Sequence, residues 1–570
     1  MDTTTSPAPS DLQIARAARL APIEEIAAAA GLQPEDLEPY GRYLAKVDDR
    51  TAERLADRTK AKYVVVTAIT PTPLGEGKTT TAVGLAQGFA RIGRQGVLAL
   101  RQPSMGPTFG IKGGAAGAGH SQVVPMESLN LHLTGDFHAI TAAHNLLAAM
   151  LDNHLHHGND LDIDERSISW RRVVDVNDRA LRNVVVGLGA RMDGVPRQTG
   201  FDITAASEVG VALALATSLQ DLRARLGRIV VGYTRSGAAV TAEDLKAAGA
   251  MTVILRDAIK PNLLQTLERT PVLVHAGPFG NIATGNSSVI ADRIGIHLGD
   301  YLITEAGFGS DMGAERFFNI KCRLTGLQPD AAVLVVTVRA LKAHSGRFTV
   351  VAGRPLPAEM LEENPDDVRA GVDNLRKHIE IVRSFGVSPV VAINAFPGDH
   401  PSEHQVIKAV AGAAGAHVAV TTHVRDGGAG ARDLATVVEQ ACLEPHDFHH
   451  TYDLADPLTD KIEAVATQVY GADGVRYSPE AARRLRSFTE LGFGELPVVI
   501  AKTHLSISSD ATLRGAPTGW TLPVGEVRLA AGAGYVYAIA GEMRTMPGLP
   551  KHPAAERIDI DADGQVVGLS

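Results

Sequence analysis

Short runs of apolar, β-branched residues alternate along the chain with segments that have helical spacing or many glycines. Such runs predict strands that are buried on both faces of a parallel sheet. The run at residues 63–69 is followed by helical spacing over residues 78–92 and by a second run at 97–100, which predicts the order β, loop, α, β. Further strands are predicted at residues 184–187, 229–232, 251–255, 272–275, 301–304, 332–338 and 389–393.

The segment TPLGEGKT, residues 72–79, lies between the first predicted strand and its helix. A P-loop has Gly, four residues and then Gly-Lys-Ser/Thr; Thr72 stands at the first glycine position, whereas Gly77, Lys78 and Thr79 fit. The glycines let backbone N–H groups face phosphates, the helix adds its positive end, and Thr79 is placed to hold Mg²⁺. An ordinary glycine-rich turn is the alternative, but the flanking strand and helix favour phosphate binding. The predicted nucleotide-binding residues are Thr72, Pro73, Leu74, Gly75, Glu76, Gly77, Lys78 and Thr79.

The pattern and the loop together predict an α/β fold, with a P-loop NTPase-like, doubly wound, mostly parallel sheet and two smaller α/β domains. Residues 1–352 are predicted to form the nucleotide-binding domain, which begins with a helical segment from an N-cap at Ser10 to a stop at Gly31. A Gly/Pro-rich run at 353–365 predicts a second α/β domain at residues 353–474. Loss of the alternation near 471–478 predicts a C-terminal α+β domain at residues 475–570.

Composition narrows the class of protein. Hydrophobic residues make up 45% and charged residues 21% of 570, which is typical of a globular chain and not of a disordered one. The net charge of −9 gives no basic surplus for a nucleic acid, and no apolar run reaches the roughly 18 residues that a membrane helix needs. Cys322 and Cys442 are too few for a disulfide framework, and the first twenty residues lack a signal-peptide pattern. We therefore expect a cytoplasmic protein.

Two features follow the phosphate loop. Arg101 ends the second predicted strand, and ligands of open α/β sheets lie beyond such strand ends, so its guanidinium is predicted to face the phosphate crevice. A surface arginine paired with an acid is the alternative. The segment GIKGGAAGAGH, residues 110–120, has five glycines in eleven residues, so it is either a flexible loop or a place where backbone approaches a ligand or a strand closely.

The chain resembles the formate–tetrahydrofolate ligase family, also called 10-formyltetrahydrofolate synthetase. The phosphate loop TPLGEGKTT, the glycine-rich GIKGGAAGAGH and VVTVRALKAHSG at residues 335–346 match the family's signatures, and similar blocks cover nearly the whole chain. Those blocks are RRVVDVNDRALR at 171–182, GFDITAASE at 200–208, AEDLKAAGAM at 242–251, KPNLLQTLE at 260–268, TEAGFGSDMGAERFFNIKCR at 304–323 and TMPGLPK at 545–551.

The resemblance implies an enzyme of one-carbon metabolism that makes 10-formyltetrahydrofolate, ADP and phosphate from formate, tetrahydrofolate and ATP through formyl phosphate. It implies Lys78 and Arg101 as catalytic residues, a contribution of the second domain to the folate pocket, and a homotetramer. The implied cofactors are Mg²⁺ and a monovalent cation, K⁺ or NH₄⁺. The implied substrate-binding residues are Lys112, Gly113, Gly114, His120, Phe396 and Pro397.

Departures from the family pattern concentrate on the pterin side. His120 replaces a tyrosine, Val424 stands where an indole is expected, and Asp426 stands where the family has lysine. Ala395 replaces a basic residue beside Phe396, and Thr284 replaces a histidine. Stacking on an aromatic ring is worth roughly 1–3 kcal/mol, so loss of the indole predicts folate binding weaker by about one to two orders of magnitude.

Several interpretations stay open. The chain could be a P-loop ligase for another carboxylate or acceptor, or a nucleotide-binding paralogue without turnover. Glu305 and Asp311 could approach a Mg²⁺-nucleotide or could be a solvated pair. A group of histidines between residues 132 and 157 is read as polar capping or interface rather than as a metal site.

Overall fold

A computed structural model describes residues 9–73, 75–110, 116–280, 282–351 and 354–569. Within this part of the chain the largest sheet has twelve strands, which are numbered here in chain order. They are β1 Leu37–Pro39, β2 Ala45–Val47, β3 Lys62–Ala68, β4 Gly96–Leu100, β5 Gly117–Ala118, β6 Ser121–Val124, β7 Asn262–Thr266, β8 Pro271–Val274, β9 Tyr301–Glu305, β10 Ala331–Val336, β11 Ser388–Asn394 and β12 His417–Thr421.

The strand order is β1-β2-β7-β8-β4-β9-β3-β10-β11-β12, with β6 paired to β7 and β5 to β6. Every neighbouring pair from β8 to β12 in this order is parallel. The pairs on the other side, from β1 to β8 and through β5 and β6, are antiparallel. The protein is therefore a mixed α/β fold with a large, mostly parallel sheet. The carboxyl ends of β4, β9, β3, β10 and β11 lie side by side along one edge.

Helices cover both faces of this sheet, and the helix that follows β3 is buried along most of its length. The α-helices are Asp11–Ala17, Ile23–Ala29, Thr51–Arg54, Lys78–Ala90, Met105–Phe109, Met126–Asn130, Asp136–His156, Glu208–Leu215, Leu219–Arg228, Ala248–Ile254, Val289–Gly295, Arg323–Thr325, Val338–His344, Ala358–Leu361, Pro365–Arg383, Pro401–Ala413, His423–Asp426, Arg432–Ala441, Leu458–Ala464 and Pro479–Phe488. Segments of π-helix lie at Ser310–Ala314, Phe317–Cys322, Val465–Val469 and Thr489–Phe493. Segments of 3₁₀-helix lie at Pro34–Asp36, Glu165–Ser167, Arg179–Arg182, Arg191–Asp193, Thr204–Ala206, Gly427–Ala431 and Ala554–Glu556.

Smaller sheets accompany the large one. Two-stranded pairs join Arg172–Val174 with Phe201–Ile203, Val184–Val186 with Arg197–Thr199, Val230–Tyr233 with Ala239–Thr241, Val475–Tyr477 with Leu522–Val524, and Asp559–Ile560 with Val566–Val567. A three-stranded sheet near the C-terminus contains Val498–Ala501, Tyr535–Ile539 and Glu526–Ala530.

The strand predictions hold in the centre of the sheet and fail toward its periphery. The run at 251–255 is wrong as a strand, because it belongs to the helix Ala248–Ile254, in which Met251 is buried whereas Val253 is 74% exposed. Burial at every third or fourth position therefore decides the element. The runs at 184–187 and 229–232 do form strands, but in antiparallel ribbons outside the large sheet. The sequence pattern predicted neither β7 and β12 nor the short strands β1, β2, β5 and β6.

The N-terminal segment begins as predicted but is two helices. The Ser10 hydroxyl accepts a hydrogen bond from the Gln13 backbone N–H, and the Gln13 side chain accepts one from the Ser10 N–H, which caps Asp11–Ala17. The helix Ile23–Ala29 follows with Pro22 at its N-cap, and Gly31 is left-handed at φ 78°. Proline fixes its own φ and lacks an N–H, so it separates the two helices.

Strands from both sides of the boundary predicted at 352/353 belong to one sheet. β10 pairs with β11 over six residue pairs, from Ala331 with Ser388 to Val336 with Ile393. The division into three domains stays a prediction. Both cysteines are buried and unbridged, and none of the described helices is long and apolar enough to span a membrane.

Candidate functional site

The phosphate loop lies at the carboxyl end of β3 and opens the helix Lys78–Ala90. Gly77 is the N-cap of that helix at φ 79°, and Gly75 has φ 78°. Both values lie in the left-handed region, which glycine adopts without the steric cost that a Cβ would add. Lys78 is half-buried in the first helical turn, where backbone N–H groups carry partial positive charge. Leu74 lies outside the described residues.

Glu76 supports the loop from inside. Its side chain is 1% exposed, and Oε1 accepts hydrogen bonds from the Thr72 N–H at 2.8 Å and the Thr72 hydroxyl at 2.9 Å. Its Oε2 accepts a bond from the Thr337 hydroxyl at 2.5 Å, at the end of β10. The buried Glu76 carboxylate thus fixes the conformation of the phosphate loop through its hydrogen bonds to Thr72 and Thr337. Pro73, next to Thr72, is half-buried.

Glu305 joins the phosphate loop to Arg101. It ends β9, between β3 and β4, and its carboxylate is 5% exposed. The Thr79 hydroxyl donates to Glu305 Oε2 at 2.6 Å, and Arg101 Nε lies 3.4 Å from Glu305 Oε1. One carboxylate therefore connects the first turn of the helix to the guanidinium that was predicted to face it. Arg101 pairs with an acid, as the alternative interpretation had it, but the pair is not on the surface, since the Arg101 side chain is 27% and that of Glu305 5% exposed.

The other side of the loop is formed by the ends of β10 and β11. Asn394 Nδ2 donates to the Glu76 carbonyl at 3.1 Å, and a Cβ at Gly77 would lie 2.6 Å from that nitrogen. Two residues further on, the ring of Phe396 lies under the guanidinium of Arg339, whose central carbon is 3.4 Å from the ring centroid. Phe396 is half-buried and Pro397 is exposed. The predicted pterin-side aromatic therefore lies beside the phosphate loop, and sequence reasoning missed Arg339.

Two of the altered positions contact each other. The His120 N–H donates to the Val424 carbonyl at 2.8 Å, and the His120 side chain is exposed. A Cβ at Gly119 would lie 2.1 Å from the same carbonyl. The segment that carries Val424 is also held on the phosphate-loop helix, because buried His423 packs against Gly84 and its Nδ1 bonds the Thr421 hydroxyl at 2.8 Å.

The glycine-rich segment approaches neighbouring backbone closely wherever it is described. A Cβ at Gly117 would lie 2.1 Å from the Ser121 carbonyl, within the β5–β6 pair. This observation favours close approach over a flexible loop for residues 116–120. Three predicted substrate-binding residues, Lys112, Gly113 and Gly114, lie outside the described residues.

The structure also shows the surroundings of the other candidate residues from the sequence analysis. Asp311 is buried and forms an ion pair of 2.7 Å with Lys502, so its carboxylate is paired within the protein and is not the solvated one that the sequence allowed. Thr284 is buried in the segment before the helix Val289–Gly295. In the described parts of the chain, no group of three or more His, Cys, Asp or Glu side chains is arranged to hold a metal ion, and His132 and His138 bond each other at 2.7 Å.

Comparison with known proteins shows the family of this chain. The family model for formate–tetrahydrofolate ligase matches residues 9–570. The chain belongs to the formate–tetrahydrofolate ligase family. It is 72% identical over 560 residues to the formate–tetrahydrofolate ligase of Cutibacterium acnes, which covers 98% of this chain and 100% of that protein.

Other formate–tetrahydrofolate ligases are similar over the same length. The protein of Saccharopolyspora erythraea is 69% identical over 562 residues, 99% of this chain and 100% of the relative. That of Roseiflexus sp. is 63% identical over 562 residues, 98% of this chain and 100% of the relative. The family match therefore spans the phosphate loop, Glu305 and the segments that contain His120, Phe396 and Val424.

Proposed function

We propose that this chain is an ATP-dependent formate–tetrahydrofolate ligase whose chemistry takes place at the shared carboxyl edge of β3, β4, β9 and β10. The observation that carries this proposal is the bridge from Thr79 through Glu305 to Arg101. The family assignment and the identities supply the substrates, formate and tetrahydrofolate, together with ATP.

The first step forms formyl phosphate. An oxygen of formate attacks the γ-phosphorus of ATP, the bond from that phosphorus to the β,γ-bridging oxygen breaks, and ADP leaves with the electron pair. Such a transfer is promoted by positioning and by charge stabilisation. Lys78 at the helix N-terminus and Arg101 across Glu305 supply two cations for this purpose. The tetrahydrofolate amine then attacks the formyl carbon, the bond from that carbon to the bridging phosphate oxygen breaks, phosphate leaves with the electron pair, and the amine loses its proton.

The donor set at Thr79 fits Mg²⁺. A hydroxyl and a carboxylate oxygen lie 2.6 Å apart, and Mg²⁺ is commonly held by one or two such groups together with substrate phosphates. When bound there, Mg²⁺ would neutralise charge on the ATP phosphates. Thr79 and Glu305 would hold it, which assigns Glu305 a role that the sequence left open. We also expect a K⁺ or NH₄⁺ activator, as the family resemblance implies.

The pterin is proposed to lie near Phe396 and the segment with Val424. These two segments follow adjacent parallel strands, β11 and β12, and the Ala395 N–H donates to the Thr421 carbonyl at 3.1 Å. His120 and Phe396 are the described residues that we assign to this half of the site. Lys112, Gly113, Gly114 and Pro397 stay predictions.

A homotetramer is expected from the family resemblance. Apolar side chains exposed on and beside the ribbon of Val184–Val186 and Arg197–Thr199 favour subunit contacts there: Val185 is 52%, Leu188 69% and Met192 82% exposed. Light scattering after size exclusion would measure the assembly, and Met192→Asp should shift it toward smaller species.

The function is tested by ADP release that depends on both formate and tetrahydrofolate, with 10-formyltetrahydrofolate identified by chromatography. Lys78→Ala should lower the turnover rate by a factor of about 10² to 10³, the usual effect of removing a group that stabilises transition-state charge. Lys60→Ala, an exposed lysine in the loop before β3, is the matched control. ADP release that does not depend on tetrahydrofolate, or that needs another acid, would refute the proposal.

A further inference from the structure

A second cavity lies apart from the residues assigned to the reaction. It is bounded by residues 166–171, by the helix Pro479–Phe488 and by the C-terminal strands Glu526–Ala530 and Tyr535–Ile539. Its volume is about 760 Å³, within the range of pockets that hold small molecules. None of the described residues proposed above for the phosphate loop, its crevice or the pterin side lines it. The proposed reaction therefore leaves this cavity without a role.

Direct contacts fix the walls of the cavity relative to each other. Glu208 Oε1 accepts hydrogen bonds from the Gly532 N–H at 2.7 Å and the Ala533 N–H at 3.2 Å, which joins one wall to the C-terminal sheet. The Thr545 hydroxyl donates to Asp202 Oδ1 at 2.6 Å, which joins the same two parts of the chain again. The cavity is therefore formed before any ligand enters, as is usual for small-molecule sites.

Arginines from separate elements meet at the cavity. The chain as a whole has 55 basic and 64 acidic residues, so an excess of cations in one place is a local feature. The guanidiniums that line the cavity are those of Arg166, Arg171, Arg484 and Arg528. The carboxylates that line it are those of Asp202, Glu208 and Glu526. A lining with this balance attracts an anion.

Three of these guanidiniums have spare hydrogen-bonding capacity. Arg171 Nη1 lies 3.5 Å from Asp202 Oδ1, which is longer than a charge-assisted hydrogen bond. Arg484 pairs with Glu480 one helical turn earlier, and both side chains are about half exposed, so this pair is worth little. Arg166 has no ion-pair partner among the described residues. An anionic ligand can therefore gain these donors without breaking a strong pair.

Hydroxyl and carboxylate groups complete the lining. Both hydrogen bonds that Glu208 accepts from the backbone use Oε1, so Oε2 can accept from a ligand. Tyr233 and Tyr537 also line the cavity, and Tyr537 lies opposite Arg528 in the strand register. Acceptors of this kind suit the hydroxyl groups of a ligand, whereas the guanidiniums suit its anionic group.

We propose that this cavity binds a sugar phosphate, free or as part of a nucleotide, with the phosphate among Arg166, Arg171 and Arg484 and the sugar hydroxyls toward Glu208. A phosphate group offers three strong acceptor oxygens and nearly two negative charges, which matches several planar guanidiniums better than a single carboxylate does. This site goes beyond the proposed function, since it uses none of the residues assigned to the reaction.

Isothermal titration of the whole protein tests the site with ribose 5-phosphate, AMP and inorganic phosphate. We expect ribose 5-phosphate or AMP to bind once per chain and about tenfold more tightly than inorganic phosphate, because only they bring hydroxyl groups. Arg484→Ala should weaken that binding about 10- to 100-fold, the usual effect of losing charge-assisted hydrogen bonds. Arg484→Lys keeps the charge without the planar fork and should fall in between.

Arg486→Ala is the matched control, because Arg486 is exposed on the same helix and does not line the cavity. It should leave the affinity unchanged, and Lys78→Ala should do so as well. Without added titrant, Arg484→Ala should keep the formate- and tetrahydrofolate-dependent release of ADP, so the proposed function is tested separately.

Three results would overturn the proposal. The first is that neither ribose 5-phosphate nor AMP binds measurably, or that inorganic phosphate binds as tightly as both. The second is that Arg484→Ala and Arg486→Ala bind alike. The third is that Lys78→Ala abolishes the binding whereas Arg484→Ala does not, because the titrant would then occupy the phosphate loop.

Discussion

Replacing Gly77 with alanine should impair nucleotide binding, and replacing Gly75 should do so less. The two glycines have nearly the same left-handed conformation, at φ 79° and 78°. They differ in their surroundings: a Cβ at Gly77 would lie 2.6 Å from Asn394 Nδ2, whereas a Cβ at Gly75 meets nothing within 4 Å among the described atoms. Comparing Gly75→Ala with Gly77→Ala therefore separates the effect of backbone strain on nucleotide binding from the effect of a steric contact.

The expected loss of ADP affinity follows from the backbone strain and the steric contact. Both variants carry a left-handed residue with a Cβ, which costs about 1–2 kcal/mol. Gly77→Ala also displaces the Asn394 amide from the Glu76 carbonyl, a hydrogen bond of 3.1 Å that is worth about 1 kcal/mol. Since about 1.4 kcal/mol corresponds to a tenfold change, Gly75→Ala should weaken ADP binding by roughly 5- to 30-fold and Gly77→Ala by about fivefold more.

Isothermal titration with ADP measures both affinities, and thermal unfolding shows whether each variant is folded. Adding Asn394→Ala to each variant completes the comparison, because removing the amide removes the contact. In that background the difference between the two glycine variants should disappear. Equal affinities of Gly75→Ala and Gly77→Ala with Asn394 present would refute the reasoning.

Three further outcomes are expected. Glu305→Gln should raise the Mg²⁺ concentration for half-maximal ADP release about tenfold, because it weakens the oxygen donor beside Thr79; an unchanged Mg²⁺ titration would contradict this. Val424→Trp should lower KM for tetrahydrofolate by about tenfold if stacking is what this position lacks, and an unchanged KM would show that the pterin lies elsewhere. The unfolding midpoint should fall as the pH is lowered from about 6.5 to 4.5, because burial lowers the pKa of four histidines to about 4 and the unfolded chain takes up those protons first. Burial also raises the pKa of Glu208 and Glu315 to about 7, which acts in the opposite direction and offsets part of the effect of the four histidines. These four histidines are His144, His275, His378 and His423. An unfolding midpoint that stays constant or rises on acidification would contradict this prediction.

The parallel centre of the sheet was predictable because its strands are buried on both faces and read as continuous apolar runs. β3, β4, β9, β10 and β11 were found in this way. β7 reads NLLQT, and its polar residues Asn262 and Gln265 are fully buried through side-chain hydrogen bonds that no hydropathy pattern reveals. Pairing partners, which decide whether an apolar run joins the sheet or a ribbon, are set by contacts distant in sequence.

The same limit applies to the site. Lys78, Thr79 and Arg101 follow from local motifs, because a loop, a helix start and a strand end are local features. From the sequence, Glu305 could either approach a Mg²⁺-nucleotide or belong to a solvated pair. Its approach to Thr79 depends on the position of β9 between β3 and β4, which the sequence does not reveal. Arg339 stands in a signature block, yet its contact with Phe396 joins segments 57 positions apart in the printed numbering.

The continuous ladder from β3 through β10 to β11 constrains how the enzyme can protect its intermediate from water. Rotation of residues beyond the 352/353 boundary as a separate body would break the six residue pairs that join β10 to β11. The strands thus act as a fixed platform under the proposed site. We expect the segment after Phe396 and the turn around Val424 to shield the proposed site from water.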